Sequence, residues 1–210
     1  MRQQIVLATK NEGKIRELAE PLQKLGMELL GLNAFPEIGD IVEDGASFAE
    51  NAFIKAKAVA DQTGLVAISD DSGLEVDALD KRPGIYSARY ADDMPFLANE
   101  TKDERNIRKL LMELQNVPAG KRTARFVCCM ACVQPGTESI EQAVIVRGTW
   151  EGSILDAPRG TNGFGYDPVF FDEELHLAAA EMTKEQKMGR SHRGHAVQAL
   201  LEKLAAMKKA

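Results

Sequence analysis

Strand-like and helix-like segments alternate along this chain, and that alternation restricts its possible folds more than any other feature. A short apolar run at 4–8 predicts a first strand, and Ile15, Leu18 and Leu22 then recur at helical spacing. A further apolar run at 65–69 predicts a later strand. Chains with this alternation form α/β folds with a mostly parallel or mixed sheet. With 210 residues, one or two domains are possible. The sequence has neither a linker nor a repeat, and one chain can still fold as two lobes around a cleft.

Further segments continue the alternation. Ser47 and Glu50 have the spacing of a capping box, which predicts a helix that begins there and runs to about Thr63, with Gly64 as its end. A Pro-Gly turn at 134–137 joins two predicted strands. The other predicted elements are a helix at 15–25 that Pro21 kinks or shortens, strands at 27–32, 125–133, 140–149 and 169–171, and helices around 107–114 and 196–204.

Two adjacent carboxylates, those of Asp70 and Asp71, follow an apolar strand that is predicted to end at Ser69. Ligands of α/β folds bind just beyond the carboxyl ends of strands, and paired acids there suit a hard cation or a proton transfer. The alternative is an acidic turn exposed to solvent, and these residues alone favour neither interpretation.

A polar segment at 9–14 follows the first predicted strand and opens the first predicted helix. Backbone N–H groups at a helix start, together with a lysine, favour phosphate. The segment is not a Walker A loop, because Ala8 replaces the first glycine and Ile15 replaces the final hydroxyl residue. Its residues are Thr9, Lys10, Asn11, Glu12, Gly13 and Lys14.

The acidic turn of Glu43, Asp44 and Gly45 lies just before the capped helix. Such a turn is ordinarily only solvated. If the loop folds towards Asp70 and Asp71, one of its carboxylates can complete a Mg²⁺ site together with phosphate oxygens and water.

A glycine-rich loop at 160–168 contains two aromatic residues, Phe164 and Tyr166. Aromatic faces in such a loop can stack on a planar base. The alternative is that both rings plug the core.

Cationic residues precede and begin the last predicted helix. Lys187 is either a phosphate ligand or part of an exposed face. Arg193 and His192 offer N–H donors, which match a carbonyl-rich base edge and mismatch the amino group of adenine. A charged helix start explains the same residues.

The charge balance excludes some partners. The chain has 26 basic and 32 acidic residues and a net charge of -6, which argues against a non-specific nucleic-acid or membrane-surface binder. The apolar run at the amino terminus is too short for a signal peptide, and no run reaches the length of a membrane span. Cys128, Cys129 and Cys132 are expected to be core residues in a reducing compartment, so we expect a cytoplasmic protein.

Taken together and in chain order, these segments resemble the inosine/xanthosine triphosphate pyrophosphatase family, the HAM1-like non-canonical purine nucleoside triphosphatases. The matching segments are 9–14, 47–52 with Lys55, 69–74, 83–90, 163–168 and 191–194, which span nearly the whole chain.

The resemblance implies that residues 1–210 form one α/β domain with two lobes around a long, mixed central sheet and a nucleotide-binding cleft between them. It also implies a homodimer and Mg²⁺-dependent cleavage of dITP, ITP and XTP to the monophosphate and pyrophosphate. The substrate is thus a small purine nucleoside triphosphate, with no nucleic-acid or membrane partner.

Carried over by motif, the resemblance makes Asp71 the general base and, with Glu43, a metal ligand; a one-residue slip would give the second role to Asp44. Lys55 is a further candidate partner for a phosphate or carboxylate. The residues assigned to the sugar and phosphates are Thr9, Lys10, Asn11, Glu12, Gly13, Lys14, Ser72 and Lys187, and those assigned to the base are Phe164, Gly165, Tyr166, Asp167, His192 and Arg193.

Two other functions fit the same acids. A strand that ends in aspartate also suits an aspartyl-phosphate phosphatase, although such enzymes resemble Asp-x-Asp and here the two aspartates are adjacent. The third possibility is a non-catalytic nucleotide-binding module.

Overall fold

The computed structural model describes residues 3–207 and, at positions 13, 16, 17 and 188, the backbone alone. Across residues 3–207, seven strands form one mixed sheet in the order β2-β1-β3-β4-β5-β6-β7. Strand β1 pairs parallel with β2 and β3, whereas β6 pairs antiparallel with β5 and β7. The predicted α/β class with a mixed sheet is therefore confirmed. The strands are β1 (Gln3–Leu7), β2 (Met27–Gly31), β3 (Val66–Val76), β4 (Thr123–Val133), β5 (Val144–Ile154), β6 (Phe170–Asp172) and β7 (Leu177–Ala178).

Five α-helices within residues 3–207 accompany the sheet. They are α1 (Glu12–Lys24), α2 (Phe48–Thr63), α3 (Lys102–Glu113), α4 (Lys184–Met188) and α5 (His192–Met207). Helix α1 continues past Pro21, so the alternative prediction of a shorter helix that ends at this proline is wrong. None of the helices in this range is long and apolar enough to cross a membrane.

The described chain divides into two compact units. Residues 3–71, 128–148 and 195–207 form the first unit, and residues 72–127 and 149–194 form the second.

Apolar side chains alternate along the strands of the first unit and build two cores. Ile5 and Ile68 pack with the side chains of α1 and α5, whereas Val6 and Ala67 pack with those of α2. Successive side chains of a strand point to opposite faces of its sheet. Even-numbered residues of this part of β3 therefore face α1, and odd-numbered residues face α2.

Local signals fix the ends of α2 close to where they were predicted. The Ser47 hydroxyl accepts the Glu50 N–H at 3.2 Å, and the helix ends at Gly64, whose φ of 70° suits glycine. The carboxylate of Glu50 accepts from the Ala46 N–H at 2.7 Å instead of the Ser47 N–H. Half of the predicted capping box is thus present, and its second bond is displaced by one residue.

The second unit encloses an aromatic core beneath α3. Leu110 of α3 is fully buried with Phe126, Trp150 and Phe170. The ring centroids of Phe126 and Phe170 lie 4.4 Å apart, and those of Trp150 and Phe170 lie 5.0 Å apart in an edge-on arrangement.

The strand that carries the acidic pair is longer than predicted. We expected it to end at Ser69, but β3 continues to Val76 because Leu74 and Val76 return to the core. Its parallel neighbour β1 stops earlier, with Leu7 paired to Ile68. The acids thus lie inside a strand, yet beyond the carboxyl end of the strand beside it.

Other elements also differ from the prediction. Residues 140–142 form a 3-10 turn and β5 begins at Val144, so the strand predicted at 140–149 was placed too early. The short elements β7 and α4 were not predicted. All three cysteines are buried on β4, as expected of core residues.

Candidate functional site

Asp70 and Asp71 belong to opposite faces of the sheet. The Asp70 carboxylate is bound by the Lys14 ammonium of α1 at 3.0 and 2.9 Å. The Asp71 carboxylate accepts a hydrogen bond from the side-chain amide of Asn51 on α2 at 3.1 Å. Strand alternation therefore directs these two neighbouring carboxylates to different helices.

The acidic turn at 43–45 folds onto α2 beside Asp71. The Gly45 N–H donates to the Asn51 side-chain oxygen at 2.9 Å, so one amide joins this turn to Asp71. The Glu43 carboxylate lies 3.0 Å from the Lys55 ammonium, which also donates to the Asp70 carbonyl at 3.1 Å. Asp44 points to solvent. Glu43, unlike the exposed Asp44, is therefore held against α2 through Lys55.

Asn51 had no predicted role, although it binds both parts of this group. Only 2% of it is exposed, and its neighbour Ala52 belongs to the apolar core. The signal in the sequence is a polar side chain on the buried side of an apolar helix, which requires polar partners.

The segment 9–14 forms the turn that starts α1. The Thr9 hydroxyl accepts from the Asn11 N–H at 3.2 Å, and the Asn11 side chain accepts from the Lys14 N–H at 3.3 Å. Lys10 and Glu12 are exposed, and Gly13 lies in the first turn of the helix. Lys14 is the member of this segment that reaches the acids of β3.

In the second unit, Asp167 organises the glycine-rich loop. The residue is 4% exposed, and its carboxylate accepts hydrogen bonds from the Phe164 N–H at 2.9 Å and from the Lys187 ammonium. Lys187 of α4 is thereby placed on the loop, with its ammonium 5.9 Å from the centre of the Phe164 ring. The N–H of Gly165 donates to Asp103 at the start of α3.

The two aromatic residues of the loop have different environments. Phe164 is 71% exposed and can offer its face to a ligand. Tyr166 is 5% exposed, and its hydroxyl donates to the Ser87 carbonyl at 2.9 Å. Burial raises the pKa of the Tyr166 hydroxyl. The Tyr166 ring thus fills the core of the second unit, which is the alternative to base stacking that the sequence left open.

The start of α5 carries the remaining predicted residues. The His192 ring stacks on Phe126, with ring centroids 5.0 Å apart and planes 21° apart. The Arg193 guanidinium lies 3.5 Å from the Ser72 hydroxyl of β3.

A larger residue in place of Gly163 in this loop would disturb both the backbone and the neighbouring side chains. The φ of Gly163 is 82°, and an added Cβ would meet the Asp167 carboxylate and lie 3.0 Å from the Lys187 ammonium. We expect Gly163→Ala to lower the free energy of unfolding by about 2–4 kcal/mol, from backbone strain and steric contact together. Urea unfolding measures this loss.

Gly165→Ala is the matched control, since Gly165 also has a positive φ of 60° but an added Cβ would meet nothing within 4 Å. It should cost only the strain, about 1 kcal/mol. Equal losses in the two variants would contradict the described packing around Asp167 and Lys187.

The acids of the first unit have the chemistry of a magnesium site. Among the described side chains, no three of the His, Cys, Asp and Glu type converge on one point. Magnesium, however, commonly uses one or two carboxylates and takes its other ligands from water and substrate phosphates. Glu43 already pairs with a cation, the Lys55 ammonium. The carboxylates of Glu43 and Asp71 have the donor chemistry that Mg²⁺ prefers.

These features define the class of the molecule: a mixed-sheet α/β protein with acidic and basic side chains on β3 and α2 in the first unit and on α4 in the second. The chain belongs to the Ham1 family, whose family model matches residues 5–203.

Its sequence is similar to those of proteins named dITP/XTP pyrophosphatase. The protein of Nitratidesulfovibrio vulgaris is 55% identical over 198 residues, which cover 94% of each chain. That of Bacillus cereus is 47% identical over 202 residues, which cover 96% of this chain and 94% of the relative.

Solved structures share the fold. The Ham1 protein of Staphylococcus aureus superposes with a TM-score of 0.85 at 39% identity and covers 98% of this chain and 100% of its own. A HAM1 protein from Coxiella burnetii gives a TM-score of 0.86 at 40% identity, with 97% and 99% covered.

Proposed function

We propose that this chain is a nucleoside triphosphate pyrophosphatase that uses Mg²⁺ to hydrolyse dITP, ITP and XTP to the monophosphate and pyrophosphate, and so removes them from the nucleotide pool. The observation that carries the proposal is Asp71, which Asn51 holds beside the turn of Glu43. The relatives named dITP/XTP pyrophosphatase, up to 55% identical over most of the chain, support the substrate class.

In the first unit, the proposed work is on the triphosphate. Asp71 accepts the proton of the water that attacks the α-phosphate, and Glu43 and Asp71 would hold the metal. When bound, Mg²⁺ supplies charge neutralisation on the polyphosphate. Lys14 and the backbone of 9–14 bind phosphate oxygens at the start of α1.

In the second unit, the proposed work is on the base and on further phosphate contacts. Lys187, which Asp167 fixes, contributes a positive charge for phosphate, together with the Ser72 hydroxyl. The exposed ring of Phe164 stacks on the purine. His192 and Arg193 donate to the carbonyl edge that deaminated purines present and adenine lacks.

We further propose that the protein is a cytoplasmic homodimer with neither a nucleic-acid nor a membrane partner. The net charge of -6 supports the absence of a polyanionic partner. Three large apolar side chains of the second unit, Tyr86, Phe96 and Leu97, are more than half exposed and supply surface of the kind that subunit contacts bury.

Product analysis across a panel of nucleoside triphosphates tests the proposal. We expect pyrophosphate and the monophosphate from dITP, ITP and XTP with Mg²⁺, and values of kcat/KM about 10²-fold lower for ATP and dATP, because their amino group faces the donors of His192 and Arg193.

Three outcomes would contradict parts of it. Direct release of orthophosphate without added pyrophosphatase would favour the phosphatase alternative. Binding without turnover would favour a non-catalytic module. Similar rates for ATP and ITP would exclude the donor-edge basis of selection.

A further inference from the structure

A buried carboxylate of the second unit takes no part in the proposed reaction. Asp172, on β6, is 1% exposed. One of its oxygens accepts the backbone N–H groups of Glu174 and Leu175, each at 2.9 Å, and the other accepts the Trp150 indole N–H at 2.8 Å. The Arg190 guanidinium donates to the same second oxygen at 2.8 Å. Burial alone would raise the pKa of Asp172, but these donors outweigh burial and lower it, so the group stays charged.

Arg190 lies in the connection between α4 and α5. The N–H groups of Arg190 and Ser191 both donate to the Lys187 carbonyl, at 3.2 and 2.9 Å. Beyond its bond to Asp172, the guanidinium pairs with Glu174 at 2.7 Å. The segment that leads from Lys187 to His192 is thus fastened to β6 through one side chain.

A second route runs from the same carboxylate to His192. The Trp150 indole, which donates to Asp172, packs against Phe126, with ring centroids 6.1 Å apart. Phe126 in turn lies under the His192 ring at 5.0 Å. Asp172 therefore holds both the main chain that precedes His192 and the aromatic ring that supports it.

From this convergence we propose that Asp172, acting through Arg190 and Trp150, is a positioning residue that sets the placement of His192 and Arg193 for base selection. The inference rests on the proposed function and deepens it, because it identifies the residues that hold the base-selecting donors of His192 and Arg193 in place. Donors select a carbonyl edge only when they are held in place, and a displacement of about 1 Å can cost up to about 10²-fold in rate.

The test compares Arg190→Gln with the wild type in the full-length chain, using dITP and dATP as paired substrates. We expect KM for dITP to rise about tenfold with kcat within about twofold, and the preference for dITP over dATP to fall about tenfold. Arg190→Lys, which keeps the charge but not the planar fork, should recover part of the preference.

Arg108→Gln is the matched control. The Arg108 guanidinium forms a two-point pair with Glu100, at 2.7 and 3.0 Å, and is 25% exposed against 30% for Arg190. It lies in the same unit, and its hydrogen-bond partners among the described residues, Glu100 and the Pro95 carbonyl, are not proposed substrate residues. Arg108→Gln should lower Tm about as much as Arg190→Gln does. It should leave KM for dITP and the preference for dITP over dATP unchanged.

A second variant keeps the test valid if Arg190→Gln fails to fold. Trp150→Phe removes the indole donor to Asp172 and retains an aromatic ring, and it should lower the preference about threefold. Wild-type preference in a folded Arg190→Gln, or in Trp150→Phe if that variant replaces it, would overturn the positioning role. A wild type that releases no pyrophosphate from dITP would instead overturn the proposed function, before any variant is compared.

Discussion

Replacing Asp71 by asparagine is expected to lower kcat for dITP hydrolysis by about 10²–10⁴-fold, because the reaction loses its proton acceptor. KM should change much less, since phosphate and base contacts remain. Asparagine matches the shape of aspartate, and its oxygen can still accept the hydrogen bond from the Asn51 side-chain amide, whose nitrogen lies 3.1 Å from the Asp71 carboxylate. Steady-state kinetics with pyrophosphate detection measures both constants.

Asp70→Asn provides the contrast for this experiment. The Asp70 carboxylate faces α1 and holds Lys14, so its loss should act on KM through the lysine and not on proton transfer. Turnover of dITP that survives unchanged in Asp71→Asn would refute its role as the base. If kcat falls more in Asp70→Asn than in Asp71→Asn, the general base is Asp70, on the opposite face of the sheet, and the proposed role of Asp71 is wrong.

Replacing Glu43 by glutamine is expected to raise the Mg²⁺ concentration that gives half-maximal rate by about 10- to 100-fold, because one of two carboxylate ligands is lost. The side chain keeps its size. A chelator should abolish the activity of the wild type, and added Mg²⁺ should restore it. Titration of Mg²⁺ at saturating dITP measures the change.

Asp44→Asn is the matched control, since it removes one negative charge from the adjacent, exposed position. Its half-maximal Mg²⁺ concentration should remain within about twofold of the wild type. The reverse pattern would transfer the ligand role to Asp44. If the half-maximal Mg²⁺ concentration is unchanged in both variants, the turn at 43–45 does not contribute to the metal site.

Much of the secondary structure could be predicted because its signals are local. Ser47 and Gly64 mark the ends of α2 through hydrogen bonds and backbone angles within a few residues. The extent of β3 could not be predicted in this way. Its polar stretch at 69–72 has the composition of a turn, and only neighbouring strands and the return of Leu74 to the core make it a strand.

The candidate site was predicted as a set of residues, but not as a set of contacts. Lys14 and Asp70 are 56 residues apart, and no local pattern pairs them. Phe164 and Tyr166 look alike in the sequence, and only the packing of the second unit shows that one ring is buried and the other exposed. The role of Asn51 could be recognised only from the structure, which places the Gly45 N–H and the Asp71 carboxylate beside its side chain.

Because side chains of β3 alternate between the two faces of the sheet, the number of residues along this strand decides which face each acid occupies. Because neighbouring acids face different helices, a one-residue insertion or deletion after the pairing of Leu7 with Ile68 would exchange Asp70 and Asp71 between α1 and α2. Such a change keeps every functional group in the chain, yet it presents the wrong carboxylate to Asn51. The number of residues between this pairing and the acids therefore matters as much as their identity.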